Sequence, residues 1–221
     1  MRQRSAELEH CVYGRNPVAE ARRGRRRVLR EWSVEEVGAE RLRQLCGSTE
    51  HQGVVAEVEP YPYADANQLL DAEDALVLAL DQVQDPHNLG AICRTAEAAG
   101  AAVVICDRRA AQVTPAVCKA SAGAVEHLEL ARVGNLADWL LAARELGAWS
   151  FGASAEAPAS FRSLDLNGRV ILVLGGEGAG LRPRVAASCD QLVSIPTVGR
   201  VGSLNVSVAA AVLAFAVGRA G

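Results

Sequence analysis

From Ala75 onward the chain alternates strand, helix, strand, helix, and this order limits it to few folds. Ala75-Leu76-Val77-Leu78-Ala79-Leu80 is an apolar run without a polar interruption. Strands buried on both faces read this way, and parallel sheets need such strands. Leu89 to Ala99 follows with helical spacing and is ended by Gly100. Ala101 to Cys106 is the next strand. Thr114-Pro115 opens a second helix and Asn135 to Leu146 forms a third. Strands at Ala148–Ala153, Val170–Leu174 and Leu192–Ile195 and a terminal helix at Ser203–Arg219 complete the series. The pattern predicts an α/β fold, a parallel sheet with helices on both faces.

The front of the chain reads differently. Asn16-Pro17-Val18-Ala19-Glu20-Ala21 looks like a helix start, with Asn16 as cap and Pro17 at the first helical position. Ser33 to Cys46 gives another helical pattern through Val34, Val37, Leu42 and Leu45, and Gly53 to Val58 is a strand candidate. Pro60-Tyr61-Pro62-Tyr63-Ala64-Asp65 has two prolines that favour extended backbone. The expected division is a small α+β unit at 1–60, a linker at 61–73 and an α/β domain at 74–221.

Half of the 221 residues are hydrophobic, enough for a proper core, yet no apolar run reaches the ~18 residues of a membrane span. The start, MRQRSAELEHCVYG, lacks the apolar stretch of a secretory signal. Cys11, Cys46, Cys93, Cys106, Cys118 and Cys189 form no CxxC or Cys/His cluster, and several sit in apolar runs as reduced core thiols do. The four histidines form no pair at metal-ligand spacing. These features predict a cytoplasmic protein without a metal site.

The net charge of −3 argues against bulk electrostatic binding of nucleic acid, but the distribution is uneven. Arg22, Arg23, Arg25, Arg26, Arg27 and Arg30 crowd together, and Lys119 is the sole lysine. A guanidinium pairs with phosphate and stacks on bases. The cluster is therefore either an RNA contact or a solvated helix end.

Three segments place polar groups at the ends of apolar strands, where open α/β sheets bind ligands. In Asp81–Gly100, DQVQDPHNLGAICRTAEAAG, Asn88 either caps the helix or faces a ligand. Arg94 lies among Ile92, Cys93 and Ala96, so its charge needs a partner: Asp85, Glu97 or a phosphate. His87 could touch a substrate but reads more simply as a surface turn. In Val170–Leu181, VILVLGGEGAGL, glycines let a ligand approach main chain closely, and Glu177 sits in the middle of the turn. The turn is neither a phosphate-binding P-loop nor a dinucleotide fingerprint. In Ile195–Phe215, IPTVGRVGSLNVSVAAAVLAF, a nearly all-apolar helix opens on Ser203-Leu204-Asn205. Ser203 or Asn205 either caps that helix or faces a bound group.

Taken together, DPHNLGAICRTAEAAG, VLGGEGAGL and IPTVGRVGSLNVSVAAAV resemble the SpoU/TrmH family of SPOUT-class RNA ribose 2′-O-methyltransferases, from about Ala75 to the C-terminus. YGRNPVAEA and HQGVVAEVEPYPYAD further resemble its RlmB-like branch, which methylates a guanosine ribose in large-subunit rRNA. The resemblance implies a C-terminal trefoil knot, which spacing alone would never suggest. It implies S-adenosylmethionine bound in the knot against main chain at Leu174, Gly175, Gly176, Ile195 and Leu204. It places Asn88, Arg94, Glu177, Ser203 and Asn205 at the family's catalytic positions. It also implies a homodimer whose sites are completed across the interface, with RNA rather than DNA or membrane as partner. The N-terminal unit is shorter than that branch leads one to expect, around VLREW and SVEEVGAERL. A tRNA substrate, or a non-catalytic assembly factor on the same fold, are the alternatives.

Overall fold

The computed structural model describes residues 8, 10–176, 178, 180–199 and 202–217. The N-terminal unit comprises β1 (Cys11–Tyr13), α1 (Arg15–Ala21), β2 (Val28–Ser33), α2 (Val34–Val37), α3 (Ala39–Cys46) and β3 (Val54–Val58). Its strands form an antiparallel sheet in the order β1-β3-β2. The expected single helix over Ser33–Cys46 is two helices, because Gly38 takes φ +77° between them, a region open to glycine. Gly14, not Asn16, is the N-cap of α1.

The larger unit comprises β4 (Leu76–Asp81), α4 (Pro86–Ala98), β5 (Ala102–Cys106), α5 (Pro115–Ala120), β6 (Leu130–Val133), α6 (Leu136–Glu145), β7 (Trp149–Ala153), β8 (Val170–Gly175), α7 (Pro183–Ser188), β9 (Gln191–Val193) and α8 (Val206–Ala216). Its sheet is parallel throughout, in the order β6-β5-β4-β8-β7-β9. The chain builds outward from β4 to β6, then returns to insert β8 beside β4. Strand order reverses between β4 and β8, and such a switch point opens a crevice at the carboxyl ends of the strands.

Alternating residues of each strand feed two cores. Leu76, Leu78 and Leu80 pack with Leu89, Ile92 and Cys93 of α4 and Ala210, Leu213 and Ala214 of α8. Val77 and Ala79 pack on the other face with Trp139 and Leu140 of α6 and Val185 of α7. Five of the six cysteines are buried, and Cys189 is half-buried. Burial pushes the thiol of Cys118 up to about 12, as expected of inert core thiols. No helix among the described residues is long and apolar enough to cross a membrane.

The N-terminal unit does not hang from a free linker. Val12, Val18, Ala21, Ala56 and Val58 belong to the same core as Val117, Cys118, Val125 and Leu128. The other face of its sheet packs on α3 through Leu42, Leu45 and Val55. Tyr61 Oη donates to the carbonyls of Val125 or Leu128, each 3.0 Å away, and Tyr63 Oη accepts from Val113 N at 3.0 Å. At the centre of the junction, Arg26 Nε donates to Glu126 Oε2 at 2.8 Å, and Nη2 reaches Cys118 Sγ at 3.3 Å. Both side chains of this ion pair are essentially buried.

The arginine cluster is therefore not a bare cationic patch. Arg22 pairs with Glu31, Arg23 with Glu20, Arg25 with Glu129, Arg26 with Glu126 and Arg27 with Glu59. Arg30 lies over the Trp32 ring at 4.9 Å. Arg22 and Arg23 form the exposed C-terminal end of α1, Arg26 is buried, and Arg30 already belongs to strand β2.

Candidate active site

The switch point is built by two residues in register, Asp81 at the end of β4 and Gly175 at the end of β8. Gly176 N donates to Asp81 O at 2.9 Å, and Gly180 N donates to Gly176 O at 3.1 Å, closing a tight turn. The turn requires glycine. A Cβ on Gly175 would lie 2.1 Å from the Gly180 carbonyl carbon, and one on Gly176 would lie 2.7 Å from Gln82 O. Gln82 itself, with φ +59°, bends the chain away from β4 toward α4.

Asp81 holds this turn from behind. Its fully buried carboxylate accepts from Arg182 N at 2.8 Å and from Arg182 Nε at 2.7 Å. The hydrogen bond to Asp81 raises the Arg182 guanidinium above its ordinary range. Arg182 is the residue before α7, so one carboxylate fixes both the turn's exit and the start of the next helix. Neither residue was singled out in the sequence. A charged residue ending a six-residue apolar strand was the available signal for Asp81.

α4 begins at Pro86 with Asp85 as N-cap, its Oδ1 accepting from His87 N at 3.0 Å. Asn88 is therefore not the cap. It is the third residue of the helix, buried, and its Oδ1 accepts from Asn205 Nδ2 at 3.1 Å. Asn205 is the N-cap of α8, its own Oδ1 accepting from Ser207 N at 2.8 Å. Two motifs 117 residues apart are thus joined side chain to side chain, and Asn205 caps α8.

A cavity of about 640 Å³ opens in front of this framework. Its walls include Leu174, Gly175 and Gly176 from β8 and its turn, Ile195 and Thr197 after β9, and Ser203, Leu204 and Asn205 before α8. Ser154 and Glu156 after β7, which the sequence reading missed, complete the rim. Asn88 reaches this group through Asn205. Arg94 does not line the cavity: it is exposed on α4, with no ion-pair or hydrogen-bond partner among the described residues. Its neighbours Ile92, Cys93 and Ala96 are buried, but Arg94 points away from them, so neither Asp85 nor Glu97 holds it. Glu177 lies outside the described residues.

A model of the SpoU rRNA methylase family matches residues 75–215. The chain belongs to this family. A second model, of RNA 2′-O ribose methyltransferase substrate-binding domains, matches residues 29–64. YacO of Bacillus subtilis (strain 168), named as a TrmH family tRNA/rRNA methyltransferase, is 40% identical over 235 aligned residues, covering 94% of each chain. The SpoU methyltransferase AviRb of Streptomyces viridochromogenes, solved with the cofactor AdoMet, superposes with a TM-score of 0.83 at 26% identity, over 95% of this chain and 89% of its own. The AdoMet-bound rRNA methyltransferase of Sinorhizobium meliloti gives 0.83 at 25% identity, over 95% and 87%. This SpoU protein is accordingly an RNA methyltransferase of the SPOUT class.

Proposed function

We propose that the protein transfers a methyl group from S-adenosylmethionine to a ribose 2′-hydroxyl, a guanosine of large-subunit rRNA, in the cytoplasm. The observation that carries this reading is the convergence of two motif loops on one cavity at the sheet's switch point, with the third motif joined to it through the Asn88–Asn205 hydrogen bond. Its volume falls in the range of cofactor sites. The residues fit the cofactor: the glycine turn, packed on Gly180 and Gln82 where side chains would be, leaves main chain of Gly175 and Gly176 on the cavity wall, and Leu174, Ile195 and Leu204 add apolar walls. When bound, the cofactor supplies an already activated methyl group. AviRb and the Sinorhizobium enzyme are both solved with AdoMet, which supports the assignment. A trefoil knot, with the segment leading to α8 threaded past the β8 turn, agrees with both loops lining the same cavity.

What remains for the protein is to align the sugar and to favour its alkoxide. Asn88 and Asn205, held together, orient the acceptor. Ser203 and Glu177 hydrogen-bond the substrate or shape the loops around it. Arg94 keeps its proton at any working pH, so its role is to grip the neighbouring phosphate and stabilise charge developing on the 2′-oxygen. Because Arg94 stands outside its own cavity, it serves a second copy in a homodimer. α8, which packs on the helix bearing Arg94, leaves Val208, Val212 and Phe215 exposed on one stripe, an apolar surface suited to that contact. The rRNA preference rests on the N-terminal unit, which is included where the Sinorhizobium rRNA methyltransferase superposes on 95% of the chain.

The test is methyl transfer from labelled S-adenosylmethionine to purified large-subunit rRNA and to tRNA, with mass mapping of the product. A 2′-O-methylguanosine in rRNA is expected. Label in tRNA alone would reassign the substrate, and no label in either would remove the activity. Arg94→Ala should lower turnover by about 10²-fold or more with cofactor affinity unchanged. Normal turnover would exclude Arg94 from the chemistry.

A further inference from the structure

Arg22, Arg23, Arg25, Arg26 and Arg27 are paired with carboxylates, so guanidiniums without such a partner lie elsewhere. The parallel sheet puts the carboxyl ends of all its strands on one edge, and β5 lies next to β4. Immediately after β5 come Arg108 and Arg109, both exposed and without an ion-pair or hydrogen-bond partner among the described residues. They stand on the edge that carries Asp81, the glycine turn and the start of α4.

The loop bearing them is tightly built. Ala111 N donates to Val83 O at 2.9 Å, tying it to the segment that leads into Asn88. Gln112 Nε2 donates to the carbonyls of Cys106 or Ala110, at 3.1 and 3.3 Å, bracing the loop from within. Val113 N donates to Tyr63 Oη at 3.0 Å, tying it to the connection from the N-terminal unit. Arg109 has φ +56°, a left-handed backbone that a long side chain adopts at a cost. Glycine would sit there without strain, yet the position carries a guanidinium. The carboxylate next to them in the chain is engaged, Asp107 facing Arg132 at 3.7 Å.

We propose that the loop of residues 107–113 is a phosphate grip for the RNA backbone, lying between the substrate-binding unit and the acceptor site. The proposal rests on the reading of RNA as substrate and adds the residues that hold it. RNA leaving the N-terminal unit toward Asn88 passes this loop, and Arg108 and Arg109 meet its phosphates there. A bidentate fork suits that role.

The experiment measures binding of the full-length protein to protein-free large-subunit rRNA across a salt series, for the wild type, Arg108→Ala/Arg109→Ala and Arg23→Ala/Arg27→Ala. Removing one arginine from a phosphate should reduce the slope of log K against log salt by about 0.7–0.9. The Arg108/Arg109 variant is expected to have a slope shallower by roughly 1.4–1.8, with an increased KM for RNA and unchanged S-adenosylmethionine affinity. The Arg23/Arg27 variant should keep the wild-type slope. Arg109→Gly separates binding from folding: relief of the backbone strain should raise Tm while RNA affinity falls. An unchanged slope in Arg108→Ala/Arg109→Ala, alongside salt-dependent binding by the wild type, would overturn the grip alone. Absence of RNA binding by the wild type would overturn the substrate reading and the grip together.

Discussion

Asp81→Asn is the sharpest test of how the site is held. The substitution keeps the size of the side chain but removes its charge and turns one acceptor oxygen into an amide donor. Arg182 Nε can still donate to the remaining oxygen. Arg182 N, now 2.8 Å from an oxygen, would face an Nδ2 hydrogen instead. A buried polar group left without its partner costs about 1–3 kcal/mol. The lost ion pair adds about 1 kcal/mol or less, because the Arg182 side chain is 44% exposed and solvent screens it. The sum, roughly 1–4 kcal/mol, should lower Tm by about 2–4 °C per kcal/mol in a chain of this size. Part of that loss will appear in cofactor binding, since the freed turn must be re-ordered around the ligand. About 1.4 kcal/mol weakens affinity tenfold. Calorimetric titration with S-adenosylmethionine should therefore give a Kd raised by about tenfold or more, with turnover largely restored at saturating cofactor. A variant that melts earlier but binds S-adenosylmethionine as the wild type does would refute the reasoning. Asp81 would then brace the fold and have no bearing on the cavity.

Two further outcomes follow from the ion pairs. Glu126→Gln leaves the Arg26 guanidinium buried without its counter-charge and should cost about 3–5 kcal/mol in urea unfolding, whereas Arg26→Met/Glu126→Leu should recover most of that loss. Equal destabilisation in the single and double variants would mean that packing, not charge, sets the cost. At Asp190, burial works to raise the carboxyl, but the hydroxyl and amide of Ser150 and the Arg144 guanidinium outweigh it and hold the group below its ordinary value. A depressed folded value means that this stabilisation is present above the unfolded value of 3.8 and is lost as pH falls through the folded one. Urea midpoints measured from about pH 5 downward should therefore fall more steeply for the wild type than for Asp190→Asn; parallel curves would contradict the assignment.

The parallel strands at the centre of the sheet were legible because their apolar runs admit no other environment: Ala75–Leu80 is β4 within a residue, and Val170–Leu174 is β8. β2 was missed. Its sequence, VLREWS, alternates too weakly and adjoins an arginine cluster that drew attention to charge instead. The four residues of β6 gave too short a signal, and α7 follows a glycine turn that read as loop. Arg94 was misjudged because linear neighbours are not spatial ones. On a helix turning 100° per residue, Ile92, Cys93 and Ala96 face the core while Arg94 faces out. The carboxylates that occupy Arg25 and Arg26 lie about a hundred positions later, at Glu129 and Glu126, beyond any local pattern. Motif residues at strand ends were readable. Which loops converge depends on β8 inserting beside β4, and strand order is not written in any single segment.

The common interior shared by the front unit and the methyltransferase body has a consequence for recognition. Val12, Ala56 and Val58 could leave Val117 and Val125 only by wetting both, and Arg26 could leave Glu126 only by stranding a charge. The spacing between the unit that matches substrate-binding domains and the cavity at the switch point is thus a fixed gauge. Under the proposed function, adjustment falls on the nucleic acid, and an RNA is accepted when its folded shape can span that gauge and still deliver one sugar to the crevice.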